Sequence, residues 1–265
     1  MRYEYKYLVD TKLLDRLRRS FEPYLEPDEY AAGRNNAEYT VRSIYFDTHN
    51  LQFYHEKLSG IMVRKKLRIR GYNYRDESDK LFLEIKRKYE NKIWKNRAAF
   101  SYENLKSIID CGNIEDLIND ETLDRAAFSE GSRFIHHLKR NHLKPVVLIT
   151  YDREAYQSKF NSSLRITFDK NLRYKLFPST EDLFDESTLK KAMPDKFVLE
   201  LKFYNGFPRW LQNILQKYGL TRVPVSKYTI CIDHQMHLKM ERRRTILNMP
   251  GNGSKPEYSE VDFNV

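Results

Sequence analysis

Between Val63 and Lys88 the sequence runs V-R-K-K-L-R-I-R-G-Y, then a polar turn, then L-F-L-E-I-K-R-K. Lys66, Arg68, Arg70 and Tyr72 fall on one side of an extended chain and Leu67 and Ile69 on the other. In the second half, Glu84, Lys86 and Lys88 oppose Leu81, Leu83 and Ile85. Residues of these types do chemistry on anions. A guanidinium grips phosphate with a planar fork, and an ammonium acts as a point charge. One such hairpin ordinarily means a core face and a solvated face. Here the pattern recurs. The alternate positions of seven candidate strands carry Glu4, Lys6, Lys66, Arg68, Arg70, Glu84, Lys86, Lys88, Lys95, Arg97, Arg153, Arg165, Asp169, Glu200 and Lys202, eleven cations against four carboxylates. Simple solvation would mix the signs more evenly.

Period-two alternation predicts strands over residues 2–9, 39–47, 63–72, 81–88, 92–100, 145–153, 163–169 and 197–203. Helical spacing predicts helices over 11–24, where Leu13, Leu14, Leu17 and Phe21 align, and over 208–218, opened by Pro208 and followed by Gly219. Further helices are expected over 51–58, 101–110, most of 114–141 with a break at Gly131, and 226–243. The opposite faces of the strands are apolar and need cover, which these helices supply. The expected class is α+β: a closed antiparallel β-barrel, its interior basic and its helices packed outside. Dry burial of so many like charges would cost several kcal/mol per unpaired ion. The interior is therefore expected to be wet and to hold a polyanion.

The composition agrees. The formal net charge is +10 and 40% of residues are hydrophobic, which points to polyanionic partners and a sizeable core. Two cysteines, Cys111 and Cys231, favour a reduced cytoplasmic protein over a disulfide-stapled one. No apolar run reaches the length of a membrane span, and the charged N-terminus is unlike a signal peptide. Residues 1–245 are expected to form one domain and residues 246–265 a flexible tail.

In their order, these segments resemble the catalytic domain of the vacuolar transporter chaperone (VTC) polyphosphate polymerases, within the CYTH-like triphosphate tunnel metalloenzymes. The resemblance covers roughly residues 1–240 and rests on Y-E-Y-K-Y, S-I-Y-F-D, K-L-R-I-R, L-E-I-K-R-K, K-N-R, Y-D-R, L-R-I-T-F-D, L-E-L-K and S-K-Y. One departure stands out. The wider superfamily opens on Glu-x-Glu-x-Lys, whereas Arg2 occupies the first Glu position here, with Glu4 and Lys6 retained. That weakens a two-metal triphosphatase reading.

The resemblance implies transfer of the γ-phosphate of ATP to growing polyphosphate, with Mn²⁺ or Mg²⁺. It implies that Arg68, Arg70, Lys86, Arg153 and Arg165 hold the reacting phosphates. Lys6, Lys88, Lys95 and Lys227 would line the path of the chain, joined by Lys66, Arg97 and Lys202 from the same basic faces. Tyr151 and Ser226 would donate hydrogen bonds. Glu200 would hold the metal, with Glu84 and Glu4 as further candidates. The partners implied are ATP and inorganic polyphosphate; any translocation of product would need a membrane-protein partner. Two other classes compete: a tri- or polyphosphate hydrolase on the same scaffold, and a non-catalytic polyanion-binding module. Nucleic acid is disfavoured, because RNA binding wants open aromatic faces for stacking, and Tyr72 and Tyr151 sit on faces expected to be enclosed. The seven His have no metal-ligand spacing, and Arg242–Arg244 read as a solvated helix end.

Overall fold

The computed structural model describes residues 3–34, 37–75, 80–90, 92–112, 125–161, 163–204 and 206–247. Ten strands join in one antiparallel sheet: β1 (Tyr3–Asp10), β2 (Leu25–Pro27), β3 (Glu38–Asp47), β4 (Val63–Tyr72), β5 (Lys80–Tyr89), β6 (Lys92–Ser101), β7 (Lys144–Ser158), β8 (Arg165–Leu176), β9 (Lys190–Lys191) and β10 (Lys196–Phe203). The main path is β1-β10-β8-β7-β3-β4-β5-β6, with β2 beside β7 and β9 beside β8. The helices are α1 (Leu14–Phe21), α2 (Gln52–Leu58), α3 (Arg125–Arg140), α4 (Arg209–Lys217) and α5 (Lys227–Leu247).

Alternation along the strands decides the layers. Leu67, Ile69, Leu83, Ile85, Ala98 and Phe100 are buried on the convex side, where Phe134, Ile135 and Leu138 of α3 cover them. On the β1–β10–β8 side, Tyr7, Val9, Phe168, Leu199 and Leu201 pack with Leu17 and Phe21 of α1 and with Leu211 and Ile214 of α4. Each such side chain contributes roughly 1.5–3 kcal/mol by leaving water. A one-residue slip of β4 would place Lys66 and Arg68 in this core, so the apolar pattern fixes the register.

The sheet is not a closed barrel, and that expectation is corrected. Its path ends at β1 and β6, which form no ladder with each other among the described residues. The reason lies in the connection between α4 and α5. Arg222 forms an antiparallel bridge with Tyr7, and the amide of Val223 donates to the carbonyl of Lys6 at 2.9 Å. Backbone groups on the outer edge of β1 are thereby met from within the chain. β6 is an edge strand whose residues 92–95 are exposed and include two lysines, a composition that discourages pairing. The sheet nevertheless curls far enough for Lys86 of β5 to reach Glu4 of β1, at 3.7 Å.

α5 departs from the expected placement outside the sheet. Tyr228, Cys231 and Ile232 pack against Val41, Ile149 and Tyr151, residues that share the concave face with Tyr45 and Arg153. Its N-terminal turns thus enter one end of the concavity. Asp47 anchors this arrangement: it accepts from the amides of Thr48 (2.7 Å), Phe53 (2.9 Å) and Tyr54 (3.0 Å) and from the Tyr228 hydroxyl (2.5 Å). These bonds hold the start of α2, where Leu51 sits at φ +54°, an uncommon conformation for a non-glycine residue.

Other elements differ in extent. β7 and β8 are longer than alternation alone suggested, because a register shift between Thr150 and Asp152 lets the pairing continue. The helix expected over 101–110 is a 3₁₀ turn at Tyr102–Asn104 and a π-helical turn at Ser107–Cys111. α3 runs through Gly131 without a break. Arg2, residues 113–124 and most of the expected tail lie outside the described residues, while α5 extends to Leu247. Both cysteines are free.

Asp47→Ala leaves four donors without their acceptor. It is expected to cost about 2–4 kcal/mol, in the range for removing one partner from a buried multi-bond group. Urea unfolding of the two proteins measures this; an unchanged midpoint would dismiss Asp47 as the anchor.

Candidate active site

The concave face encloses a cavity of about 1170 Å³, larger than most small-ligand pockets. Its lining includes Arg34, Lys66, Arg68, Arg70, Lys80, Lys86, Lys92, Lys95, Arg97, Arg153, Arg165 and Lys202, against Glu4 and Glu84 as acids. Twelve cations therefore face two carboxylates among the described residues.

Buried carboxylates fix the arginines. Glu84 is 1% exposed and directly opposite Arg68 and Arg97 in the ladders of β5 with β4 and β6. Its Oε2 lies 2.7 Å from Arg68 Nε and 3.7 Å from Arg70 Nη1, and its Oε1 lies 2.7 Å from Lys95 Nζ and 3.3 Å from Arg97 Nε. Burial alone would raise the Glu84 pKa; Arg68, Arg70 and Lys95 reverse that and hold it far below the usual carboxylate range. Asp169 takes both nitrogens of an Arg153 fork, at 2.6 and 2.8 Å, and Lys227 Nζ at 2.6 Å. Burial opposes its ionisation, yet Arg153 and Lys227 lower its pKa to about 2. Arg165 Nη2 donates to Asp28 at 2.5 Å and to Tyr39 Oη at 3.2 Å.

Four charges on β1 and β10 form a checkerboard. Glu4 lies opposite Lys202 and Lys6 opposite Glu200, so neighbours along and across the strands differ in sign. Lys6 Nζ is 2.8 Å from Glu4 and 3.6 Å from Glu200, and Lys202 pairs with the other Glu200 oxygen. Glu200 is 5% exposed. Burial pushes against its charge, but Lys202 and Lys6 hold its pKa well below normal. Among the described residues, no cluster of three or more His, Cys, Asp or Glu is gathered to hold a metal. Glu4 and Glu200, diagonal across the checkerboard, are the pair of hard oxygen donors at this end of the site.

The lysines are tuned the other way. Lys66 lies across the ladder from Lys86, and it donates to Ser226 Oγ at 3.1 Å. Burial, followed by Lys6, Lys86, Arg68 and Lys57, lowers its pKa to about 7. Lys86, Lys95 and Lys202 are also lowered, each first by burial. Such a surface holds positive charge with difficulty and gains by admitting an anion.

Eleven of the expected site residues line the cavity: Arg68, Arg70, Lys86, Arg153, Arg165, Lys66, Lys95, Arg97, Lys202, Glu84 and Glu4. Lys6, Glu200, Ser226 and Lys227 sit behind this lining, each joined to a concave-face side chain. Tyr151 is buried, its ring 4.5 Å from Lys227 Nζ and 5.3 Å from the Arg153 guanidinium carbon, so it supports cations rather than facing open space. Lys88 stands outside the lining, opposite Arg64 and Ile93 at the far end of the hairpin. Reading charge alone missed the neutral partners on β3: Tyr45 Oη accepts from Arg68 at 2.8 Å and Ser43 Oγ from Arg70 at 3.3 Å. Tyr39, Ser43 and Tyr45 are two or four positions apart, so alternation held the signal. Asp28 sits in a loop with no period to reveal it.

The VTC domain family model matches residues 1–235, and the chain belongs to that family. It is 25% identical over 227 residues to vacuolar transporter chaperone complex subunit 2 of Saccharomyces cerevisiae; the match covers 72% of this chain and 26% of the yeast protein, so the chain spans about a quarter of that relative's length. Among solved structures it is similar to the PH1819 protein of Pyrococcus horikoshii OT3, with 14% identity and a TM-score of 0.43 over 87% of this chain and 99% of the other. It is also similar to a Hippeastrum protein described as a candidate adenylyl cyclase with dominant triphosphatase activity, with 12% identity and a TM-score of 0.46 over 87% and 94%.

The lowered Lys66 pKa has a signed consequence. Free Lys66 loses its proton as pH rises through about 7, whereas a bound polyanion favours the charged form and raises that pKa. Tripolyphosphate should therefore bind with proton uptake above pH 7, and its affinity should fall as pH rises. Lys66→Arg, charged throughout, is expected to bind while losing that share of proton uptake. Calorimetry in buffers of different ionisation enthalpy separates the two; equal uptake by both proteins would show that Lys66 is not the group.

Proposed function

We propose that this chain is an ATP-dependent polyphosphate polymerase. The observation that carries this reading is the cationic cavity, with twelve Lys or Arg against two Glu among the described residues. A terminal phosphate oxygen of the growing chain attacks the γ-phosphorus of ATP. The bond from that phosphorus to the bridging oxygen breaks, and ADP leaves. The attacking oxygen is already ionised, so the site needs no strong base; it needs in-line positioning and charge stabilisation.

In this reading Arg68, Arg70, Arg153 and Arg165 hold phosphates with forks braced by Glu84, Asp169 and Asp28. Lys86 and Lys66 supply further positive charge beside them. A bound Mn²⁺ or Mg²⁺ would supply Lewis-acid stabilisation of the phosphoryl oxygens. Glu200, with Glu4 beside it, fits such an ion as a sparse oxygen-donor set whose remaining ligands come from phosphate, as is usual for Mg²⁺. Lys6 and Lys202, which pair with those carboxylates here, would then be released toward phosphate.

The preference for a polymerase over a hydrolase is supported by a second cationic group. The Lys57 pKa is lowered by burial and then by Arg64, Lys6 and Lys88. Of these, Arg64 and Lys88 lie opposite each other on β4 and β5, beyond the arginine cage toward the far end of those strands, where an acceptor chain would need holding. The yeast relative is described as a complex subunit, and a partner chain is proposed here on that likeness. A cytoplasmic site, with ready ATP, completes the proposal.

Incubation with ATP and Mn²⁺ is expected to give ADP and a ladder of polyphosphate on a gel. Orthophosphate as the only product would replace this reading with the hydrolase. Glu200→Gln is expected to lower turnover by roughly 100-fold, the scale of losing several kcal/mol of charge stabilisation, and to raise the Mn²⁺ needed for half-maximal rate. Its metal-free affinity for tripolyphosphate should hold or rise, because Lys6 and Lys202 are freed. An unaltered Mn²⁺ dependence would remove Glu200 as the ligand. The double variant Lys88→Ala/Lys95→Ala is expected to shorten the product more than it weakens ATP binding. Equal losses would mean that these lysines steer ATP inward and do not hold the acceptor.

A further inference from the structure

One end of the sheet, beside the cations proposed to hold the acceptor chain, exposes apolar side chains that the proposed chemistry does not use. At the start of β4, the end of β5 and the start of β6, large apolar side chains stand in solvent: Ile61, Met62, Val63, Tyr89, Ile93 and Trp94, between 46% and 64% exposed. Leu58, at the end of α2, is 56% exposed and adjoins them in sequence. The backbone gathers them at one tip of the sheet, where alternation turns Val63 and Tyr89 to one face and Ile93 to the other. Val63 pairs with Tyr89 and Lys88 with Ile93, and the amide of Glu90 donates to the carbonyl of Met62 at 3.1 Å.

A group of exposed large apolar side chains at one tip of the sheet points to an interaction surface, and its charge says with what. Residues 57–65 and 87–95 carry seven Lys or Arg and one carboxylate, Glu90. Trp and Tyr with aliphatic side chains inside a basic ring suit the headgroup region of an anionic bilayer. The rings sit at the interface, the aliphatic side chains enter the acyl boundary and the cations meet lipid phosphate. A protein partner of ordinary composition would leave this many cations to be matched one by one.

We propose that this end of β4, β5 and β6 is a docking surface for a membrane rich in anionic lipid. No helix among the described residues is long and apolar enough to cross a membrane; the contact proposed is made by this surface. Lys92, Ile93 and Trp94 belong both to that tip and to the cavity lining. Docking therefore turns that mouth of the cavity toward the bilayer. The inference goes beyond the proposed activity and holds whether the chain is a polymerase or a hydrolase.

Vesicle flotation of the full chain tests it, with phosphatidylcholine vesicles compared with vesicles that also contain phosphatidylglycerol. The chain has two tryptophans, and Trp210 is stacked on Tyr24 with ring centroids 4.2 Å apart. Trp210→Phe leaves Trp94 as the reporter. Binding to the anionic vesicles alone is expected, with a blue shift of Trp94 emission and shielding from an aqueous quencher. Met62→Ser/Val63→Ser, on exposed positions outside the cavity, is expected to bind those vesicles at least tenfold more weakly while binding tripolyphosphate as before. Three outcomes overturn the proposal. They are unchanged vesicle binding by this variant, Trp94 emission that does not shift, and full displacement from vesicles by tripolyphosphate, which would mean that the cavity cations alone hold the lipid.

Discussion

Enclosed positive charge is the constraint around which this structure is arranged. A concave face crowded with guanidinium and ammonium groups repels itself, and burial deepens the penalty. Glu84, Asp169, Glu200 and Asp28 answer it. Each is buried, and Glu84, Asp169 and Glu200 each touch two or more cations. Their charge does not cancel the surplus; it sets where the arginines point. Part of the remainder falls on Lys66, Lys86, Lys95 and Lys202, whose pKa values are lowered first by burial, so their charge is held at a cost that a bound polyanion would offset. Glu84 shows why the carboxylates matter to shape as well as to charge. Without it, Arg68, Arg70, Lys95 and Arg97 would face one another with nothing between them.

The apolar face enforces this unfavourable arrangement. Arg64 lies opposite Lys88, Lys66 opposite Lys86 and Lys86 opposite Lys95, and like charges in such pairs are destabilising. A shift of register would relieve them but would drive cations into the core formed with α3. Burial of Leu67, Ile69, Leu83 and Ile85, each worth roughly 1.5–3 kcal/mol, outweighs cross-strand repulsions of roughly 0.2–1 kcal/mol. Core packing on one side thus maintains an electrostatic strain on the other, and an entering polyanion is stabilised by relieving it.

The same two-sidedness explains what the sequence disclosed. Alternation is a local property, and it located most of the strands, the basic face and eleven of the cavity-lining residues. Closure of the sheet is not local. It turned on whether the outer edge of β1 would meet β6 or the passing segment at Arg222 and Val223, and that segment has no periodicity to announce its pairing. The length of β7 and β8 was hidden by a register shift. Asp28 was hidden in a loop, and Tyr45 and Ser43 by being uncharged. α5 was read as a helix from its spacing, but only the contacts of Tyr228, and of Ser226 just before the helix, bring its first turn into the concavity.

The division between arginine and lysine follows a physical logic that bears on a moving substrate. Arg68, Arg153 and Arg165 each have a carboxylate partner that fixes the plane of the fork, and an arginine so braced holds one phosphate in one orientation. Lys66 and Lys86 have looser contacts: Lys66 donates to one hydroxyl, and Lys86 stands 3.7 Å from Glu4. An ammonium has three rotatable donors and no preferred plane, so it follows a phosphate that shifts past it. For the proposed polymerase both properties are needed. The phosphoryl group in transfer must be held in line, while the chain that accepts it must advance by one unit each turn. A site built only of braced arginines would hold the product as firmly as the substrate. One built only of lysines would not align the reacting atoms. Braced forks at the centre and adjustable ammonium groups toward the far end of β4 and β5 meet both demands within one curled sheet.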